Sequence, residues 1–456
     1  MKVKEFRTMK YHFKASIEER KLLKFLCRIS KNIYNCALYE LRRQYFKDKA
    51  ICSYFELNKL ISFNSNYHIL NTYQSICTIR VAHSAMEKYV RYHNSDGTLN
   101  ELGYKFSNEN DCASFPRYKK KKGLMPLITD QIRPIYKDGK KCIKLPLSNL
   151  TRTSKVFNQI FEDELIDTFV KESELKESFN IFFKIQKELY DKKIRQFRVI
   201  PNSRGDDFYI EFTYEVEVSK PNKEIKKSLA IDLGISNLAS CVVTDNTSFI
   251  IDGKYLKSLN RLYNKKKASL QSKLPKCIYT SKKIRNLNKK RNHQIDDYLN
   301  KAVSTLIKKC NELEVDEIII GYNKGFKKHG IKNEELKGKE KQQVNQNFVQ
   351  IPLSRFKDKL KLKAFENGIY VRVINESYTS KSSFYDNDPI KKNQYSGNRI
   401  RRSLYETKNK QIVNADINAA LNIYKKYIIK SNSKDDKVNY LMSRGLTNPS
   451  RVIVAL

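Results

Sequence analysis

The chain has 456 residues, and 89 Lys and Arg against 49 Asp and Glu give it a formal net charge of +40. Its length predicts two or three domains, and its positive charge predicts a polyanionic partner, for which nucleic acid is the natural candidate. With no run of 18 apolar residues, no apolar leader and nine Cys without a CxxC pair, we expect no membrane span and a cytoplasmic protein with free thiols.

The first half of the chain predicts a β-rich domain with a helical insert. Residues 3–13 have a strand pattern, and apolar residues then recur at helical spacing from Ser16 to about Tyr92. After a loop rich in Asn, Gly and Ser, strand patterns resume near Phe115 and run to about 218, with a helical interruption at 160–176. The predicted boundaries are 1–14 and 110–222 for the β-rich domain and 15–109 for the helical insert.

The second half, 223–456, predicts an α/β domain. From Lys227 onward the order is three short strands, a helical region, a strand, a helix, a strand and a final helix. This βββαβαβα order is that of the RNase H-like fold, and short apolar runs are typical of parallel strands that are covered on both faces. The predicted strands are 229–231, 241–243, 249–251, 318–320 and 370–374, and the predicted helices are about 256–311, 349–367 and 414–428.

Two acidic residues are candidates for catalysis in this domain. Asp232 ends the first strand, where α/β sheets place their chemistry, and Gly234 allows a sharp turn after it; the alternative is an Asp that caps a turn. Asp416 lies in the first turn of the last helix, where Ala419 and Ala420 allow a close approach to the sheet. The alternative for Asp416 is simple complementarity with the helix dipole.

A third acid is needed, because a two-metal nuclease holds two Mg²⁺ ions ~4 Å apart with several hard carboxylate oxygens. In this fold the second acid usually ends the fourth strand, where the chain has Gly321, and Glu317 would lie at the wrong end of that strand. Glu376 follows the fifth strand, ~4.8 Å further out. Because Gly321 leaves space for it, we predict Glu376 as the third metal ligand, with a surface role as the alternative.

Five motifs occur in order along this domain, and as a set they resemble the TnpB (OrfB-type) proteins of insertion sequences. These proteins are RNA-guided DNA endonucleases related to the type V CRISPR effectors. The resemblance implies a RuvC-like nuclease that uses Mg²⁺, a guide RNA and target double-stranded DNA, in which Asp232 and Asp416 are catalytic. It also implies a wedge-like β domain with a helical recognition insert in the first half. The motifs are 232–239, 255–260, 319–323, 376–384 and 414–420.

The chain departs from this family in two places. The usual Glu is Gly321 here, and a subset of the family looks to have moved it to the position of Glu376; if Glu376 does not reach the metals, the alternative is a catalytically inactive RNA-guided DNA-binding regulator. The family often has two CxxC pairs before the last Asp, but no Cys follows Cys310, so we expect no zinc and an insert at 377–412 that folds without metal.

The six His include no His-x-His pair, which disfavours a tyrosine transposase that joins strands itself. Transposition would therefore need a separate enzyme, with this protein as an accessory.

Three basic clusters predict where nucleic acid lies. No acid occurs between Asp252 and Asp296, where 14 residues are Lys or Arg, which favours a groove that follows a phosphate backbone over a mixed, solvated helical face. A loop at 115–122 is assigned to guide-RNA or heteroduplex phosphates, with a solubilising loop as the alternative. The candidate residues are Arg117, Lys119, Lys120, Lys121, Lys265, Lys266, Lys289, Lys290, Arg291, Arg399, Arg401 and Arg402.

Overall fold

The structure is a computed structural model of the chain. The chain divides into two compact units, one over 2–218 and the other over 219–456. The helical interruption predicted at 160–176 and most of the loop predicted at 93–113 lie outside the described residues. No helix in the described part is long and apolar enough to cross a membrane. The described residues are 2–94, 115–149, 151, 180–219, 225–323, 351–392, 394–431, 438, 441 and 449–454.

The first unit contains two antiparallel sheets. Strand β1 pairs with β7, far along the chain, in a four-stranded sheet of order β1-β7-β6-β2, and β3, β4 and β5 form a second sheet. Phe208, Ile210 and Phe212 of β7 are buried in the two-residue period of a strand that covers a core on one face. The strands are β1 Lys2–Phe13, β2 Leu127–Thr129, β3 Pro134–Lys137, β4 Lys140–Lys144, β5 Phe182–Lys184, β6 Ile194–Pro201 and β7 Phe208–Ser219.

Four helices lie between β1 and β2, where the sequence predicts the helical insert. Ser16 caps the first of them in a capping box with Glu19, as the sequence pattern indicates. Leu26 of this helix and Phe197 of β6 belong to the same buried cluster, so the helices and the sheets share one apolar core. The helices are α1 Ile17–Asp48, α2 Tyr54–Ser62, α3 Ser65–Ile69 and α4 Thr72–Asn94.

The second unit is built on a six-stranded sheet of order β12-β11-β8-β9-β10-β16. Strands β8, β9 and β10 are antiparallel neighbours, whereas β11 and β12 run parallel to β8. The last strand, β16, pairs parallel with β10 and was not predicted from the sequence. The strands are β8 Ser228–Leu233, β9 Asn237–Val243, β10 Ser248–Asp252, β11 Glu317–Gly321, β12 Tyr370–Ile374 and β16 Ser450–Val452.

Helices cover both faces of this sheet. Leu229 and Ile231 of β8 pack in the cluster that includes α5, α6 and α7, whereas Ala230 between them packs in the cluster that includes α8. Both faces are therefore buried, which explains why the strands are continuous apolar runs instead of alternating ones. The helices are α5 Lys254–Gln271, α6 Lys282–Glu312, α7 Leu353–Glu366 and α8 Ala415–Lys430.

The single helical region predicted at about 256–311 is interrupted, because the chain leaves the helix between α5 and α6. Pro275 lies in this break and has no N–H to donate to a helix. The side chain of Ser281 accepts a hydrogen bond from the backbone N–H of Ile284 and so caps the start of α6.

Gly321, at the end of β11, is where helix α8 approaches the sheet closely. A Cβ atom at this position would lie 2.4 Å from Cδ1 and 3.0 Å from Cγ1 of Ile423. Ile423 is fully buried, so it has little room to move away. The contact fixes the distance between α8 and the strand end.

We expect Gly321→Ala to lower the free energy of unfolding by about 1–3 kcal/mol, because the added methyl group overpacks this contact. In an Ile423→Val background, which lacks Cδ1, the same substitution should cost less. Chemical denaturation of the two single variants, the double variant and the wild type measures the difference. Equal costs in the two backgrounds would contradict a direct clash between position 321 and Ile423.

Candidate active site

Asp232 lies at the end of β8, a central strand with β11 on one side and β9 on the other. The dense protein around its carboxylate raises its pKa well above the usual value. The neighbouring carboxylates of Glu376 and Asp416 raise that pKa further, whereas the guanidinium of Arg399 lowers it. Asp232 therefore feels the charge of both other predicted acids, and the three lie in one electrostatic environment.

Glu376 follows β12, the strand next to β11, and its side chain starts beside Gly321. A Cβ atom placed on Gly321 would lie 3.2 Å from the Cβ of Glu376. Position 321 is thus closed to a larger side chain by Ile423 of α8 and by the Cβ of Glu376. Burial raises the pKa of Glu376 to about 7, while the backbone N–H of Asn323 and the charge of Lys426 lower it.

Asp416 lies in the first turn of α8, and both of its oxygen atoms are occupied. Asn414 caps the helix by accepting from the backbone N–H groups of Asp416 and Ile417. The side-chain amide of Asn237 donates to Oδ2 of Asp416 at 2.7 Å. Nη2 of Arg399 donates to Oδ1 at 3.0 Å and forms an ion pair with the carboxylate.

The carboxylates of Asp232, Glu376 and Asp416 are chemically suited to bind a divalent cation. They supply hard oxygen ligands of the kind that Mg²⁺ prefers. The pKa of Asp232 is raised first by burial and then by the neighbouring carboxylates, and a cation would favour the ionised form against both effects. In the described part of the chain, however, no three His, Cys, Asp or Glu side chains are already arranged as a metal-binding cluster. Arg399 supplies the positive charge at Asp416 instead.

The segment 377–412 that separates Glu376 from Asp416 contains a small antiparallel sheet. Arg399 is on the first strand, and its Nε donates to the carbonyl oxygen of Arg402 at 2.9 Å across the following turn. This bond fixes the guanidinium that reaches Asp416, whereas Arg401 and Arg402 have exposed side chains. The strands are β13 Asn398–Arg401, β14 Leu404–Glu406 and β15 Ile412–Asn414.

A buried acid closes the loop before this sheet. Asp388 is 3% exposed, and its carboxylate accepts from the backbone N–H groups of Ser383 at 2.8 Å and Ser396 at 2.9 Å. Lys425 of α8 donates to the carbonyl oxygen of Asp388 at 2.8 Å. These bonds join parts of the loop, which contains no cysteine, and give Asp388 a structural role.

Two asparagines of α8 tie the helix to the same loop, and the sequence analysis missed both. Asn418 accepts from the backbone N–H of Phe384 at 2.9 Å, and Asn422 donates to the carbonyl oxygens of Thr379 and Ser382 at 3.0 and 2.7 Å. Both are fully buried. Their i, i+4 spacing on an otherwise apolar helix face was the available signal.

Helices α5 and α6 carry the basic run between Asp252 and Asp296. They enclose a groove of about 760 Å³ with an apolar floor that includes Leu262, Leu270 and Leu287. Lys265, Lys266 and Lys290 line it. Lys289 is half-buried nearby, and Arg291 turns to the ring of Tyr263 at 4.8 Å and to Oδ1 of Asn260 at 2.8 Å.

In the first unit, the basic loop at 115–122 is held against α1. Asn35 donates to the carbonyl oxygen of Lys119 at 3.0 Å and accepts from its backbone N–H at 2.9 Å. Lys31 donates to the carbonyl oxygen of Lys121 at 3.1 Å. The backbone is thus fixed, while the side chains of Arg117, Lys119, Lys120 and Lys121 are exposed.

Two family models match parts of the chain. Residues 211–327, which include Asp232, match OrfB_IS605, described as "Probable transposase". Residues 354–423, which include Glu376 and Asp416, match a model described as "Cas12f1-like, TNB domain".

Curated relatives and solved structures are also similar. TnpB-like protein ORF457 of Acidianus two-tailed virus is 26% identical over 224 residues, 47% of this chain and 44% of the relative. CRISPR-associated endodeoxyribonuclease Cas12f2 of Micrarchaeota archaeon (strain CG1_02_47_40) is 27% identical over 231 residues, 48% of this chain and 40% of the relative. The matches therefore span less than half the length of these relatives. A cryo-EM structure of a Cas12f1–sgRNA–target DNA complex has a TM-score of 0.56 at 14% identity, covering 90% of this chain and 83% of that chain.

The structural similarity defines a TnpB/Cas12-like fold. Together with the family models and the relatives, it confirms the resemblance inferred from the five motifs. The chain is similar to TnpB-type proteins, which are related to the type V CRISPR effectors.

The raised pKa of Glu376 predicts how the stability of the metal-free protein depends on pH. In the unfolded state the carboxyl group of Glu376 loses its proton above pH 4.5, its usual pKa. In the folded state it keeps the proton until about pH 7. The contribution of this proton to the free energy of unfolding is therefore fully present below pH 4.5. It is lost as the pH rises to about 7, by on the order of 1 kcal/mol per pH unit.

We expect Glu376→Gln, which is neutral at every pH, to make this decline shallower in denaturant titrations carried out with a chelator between pH 4 and pH 8. Glu366→Gln, at an exposed ion pair on α7, is the matched control. The same slope in wild type and Glu376→Gln would show that Glu376 does not titrate in this window.

Proposed function

We propose that the protein is an RNA-guided, Mg²⁺-dependent DNA endonuclease with a RuvC-like nuclease domain of the RNase H-like class. The observation that carries the proposal is that the carboxylates of Glu376 and Asp416, both far from Asp232 in sequence, lie close enough to Asp232 to raise its pKa. The topology of the second unit, with β11 and β12 parallel to β8 and helices on both faces, supports the fold assignment.

Asp232, Glu376 and Asp416 would hold the Mg²⁺ ions. When bound, these ions activate the attacking water and stabilise the leaving oxygen during phosphodiester hydrolysis. The chain itself orients the ligands: β8 fixes Asp232, Asn323 holds Glu376 through its backbone N–H, and Asn237 holds Asp416. Arg399, which pairs with Asp416, would also be placed to bind a phosphate of the substrate.

The remaining regions would hold the nucleic acids. We assign 1–14 and 110–222 to a wedge-like domain, 15–109 to a recognition insert, 223–456 to the nuclease domain, and 377–412 to a zinc-free module that contacts the target. Guide RNA and target double-stranded DNA would contact the loop at Arg117, Lys119, Lys120 and Lys121 and the groove at Lys265, Lys266, Lys289 and Lys290. Arg401 and Arg402 are exposed near Arg399 and would contact the target strand, whereas Arg291 would support the groove through Tyr263.

We place the protein in the prokaryotic cytoplasm, at the nucleoid, as an accessory protein encoded by a transposable element. A second function is supported by the ion pair between Arg399 and Asp416, which neutralises a carboxylate that a metal would need. In that case the protein would be an RNA-guided DNA-binding regulator without cleavage.

We expect Asp232→Asn, Glu376→Gln and Asp416→Asn each to lower the rate of cleavage of matched duplex DNA by roughly 100-fold or more. RNA binding should be unchanged. Each variant keeps the shape of the side chain but loses the charge that holds a cation. Asp296→Asn, which breaks an exposed ion pair with Arg355, is the control. The assay uses the protein with its co-purified RNA, Mg²⁺ and varied flanking sequences; cutting that survives in Glu376→Gln would refute the role of that residue, and no cutting by wild type would favour the regulator.

We expect the triple variant Lys265→Ala, Lys266→Ala and Lys290→Ala to weaken nucleic-acid binding and to lower the slope of log K against log salt by roughly 2, because each phosphate contact contributes about 0.7–0.9. The matched control removes Lys308, Lys309 and Lys363, which pair with acids on the same unit. Filter binding at several salt concentrations gives the slopes. Equal slopes for the two triple variants would place the nucleic acid elsewhere.

A further inference from the structure

The two carboxylate oxygen atoms of Asp416 have different partners. Only one of these partners is charged and could be replaced by a metal ion. Arg399 contacts Oδ1 as a counter-ion. The neutral amide of Asn237 donates to Oδ2 at 2.7 Å. A neutral donor does not compete with a cation for charge, so this bond is compatible with a carboxylate that also binds metal.

The amide of Asn237 is itself oriented by the end of the chain. Nη1 of Arg451, on β16, donates to Oδ1 of Asn237 at 3.4 Å and to Oδ1 of Asp252 at 2.6 Å. With its oxygen atom turned to Arg451, Asn237 has its Nδ2 group directed at Asp416. A line of hydrogen bonds therefore runs from Asp252 through Arg451 and Asn237 to Asp416.

The backbone that carries Asn237 is rigid. A Cβ atom on Gly234 would lie 2.5 Å from the carbonyl oxygen of Asn237, and one on Gly253 would lie 2.6 Å from that of Ile235. The backbone N–H of Gly253 donates to the carbonyl oxygen of Ser236 at 2.9 Å. The turn between β8 and β9 is thus packed against the end of β10, and the side chain of Asn237 starts from a fixed point.

We propose that Asn237 is a positioning residue that aims the carboxylate of Asp416 at the metal site, and that Arg451 of the last strand supports it. The proposal rests on the metal-binding role given to Asp416 above. The last strand thereby gains a function, because its pairing with β10 brings Arg451 to the first residue of β9. Partners of this kind typically change metal affinity 10–100-fold.

The test measures Mn²⁺ binding to the full chain without nucleic acid, by electron paramagnetic resonance of the free ion, together with thermal unfolding in chelator. Asn237→Leu keeps the approximate size of the side chain but cannot donate. We expect it to weaken Mn²⁺ binding about tenfold or more. Asp416→Asn, measured in parallel, establishes whether Mn²⁺ binds at Asp416 at all.

Arg451→Met keeps the aliphatic stem and removes the donors, and we expect a smaller loss of about threefold. Its matched control is Arg355→Met, which breaks an ion pair of similar length and exposure with Asp296 and should leave Mn²⁺ affinity unchanged. If Asn237→Leu does not fold, the comparison of Arg451→Met with Arg355→Met decides.

Weaker Mn²⁺ binding in Asn237→Leu and Arg451→Met, with thermal unfolding close to that of wild type, supports the positioning role. If Asp416→Asn lowers Mn²⁺ affinity but Asn237→Leu and Arg451→Met bind as wild type does, the positioning role is wrong and the metal site stands. If Asp416→Asn binds Mn²⁺ as wild type does, the metal site itself is wrong and the positioning role falls with it.

Discussion

The close approach of helix α8 to the sheet is the contact on which the candidate site depends. Ile423 of α8 fills the space above Gly321, and Ala419 and Ala420 on the same helix are buried and small. The helix start, where Asp416 lies, is thereby held at the sheet end that also carries Asp232. The same contact leaves no room for a side chain at position 321, so the carboxylate next to Asp232 comes from position 376.

At this end of the sheet, packing brings together carboxylates that repel one another. Packing gathers Asp232, Glu376 and Asp416 in a partly buried environment, which raises the pKa of Asp232 and of Glu376. The charge is balanced locally by Arg399 at Asp416 and by Lys426 near Glu376. A site that gathers three carboxylates is suited to cations, and in the proposed function Arg399 would contact a phosphate group.

The segment between Glu376 and Asp416 is held by hydrogen bonds of buried polar side chains. Asp388 joins the backbone at Ser383 to that at Ser396, and Asn418 and Asn422 attach the loop to α8. The carboxylate of Asp388, Oδ1 of Asn418 and Nδ2 of Asn422 find partners inside the protein, whereas Oδ1 of Asn422 is buried without one. Asn418 and Asn422, which hold the loop, belong to the same helix as Asp416 of the candidate site.

The sequence by itself was enough to predict a polyanionic partner, the order of most elements and the resemblance to the TnpB proteins. These predictions use local or additive properties, which can be read directly from the sequence. They are the net charge, the change of hydrophobic period at Ser16 and the five motifs. It also predicted open space beside Gly321, but Ile423 of α8 fills that space, and a sequence does not show which distant residue packs there. It predicted one helical region where α5 and α6 are separate, because both halves have the same helical spacing, although Pro275 was a visible signal of the break.

Only the tertiary structure decided which side chains meet. Asn237 and Asp416 are 179 residues apart, and Asn237 and Arg451 are 214 apart, so neither bond leaves a periodic signal. Arg399 was predicted as a phosphate contact, but its position on Asp416 depends on how the turn at Arg402 is placed against α8. Contacts between distant segments are set by the packing of helices on the sheet, and that packing is a property of the whole core and of no single segment.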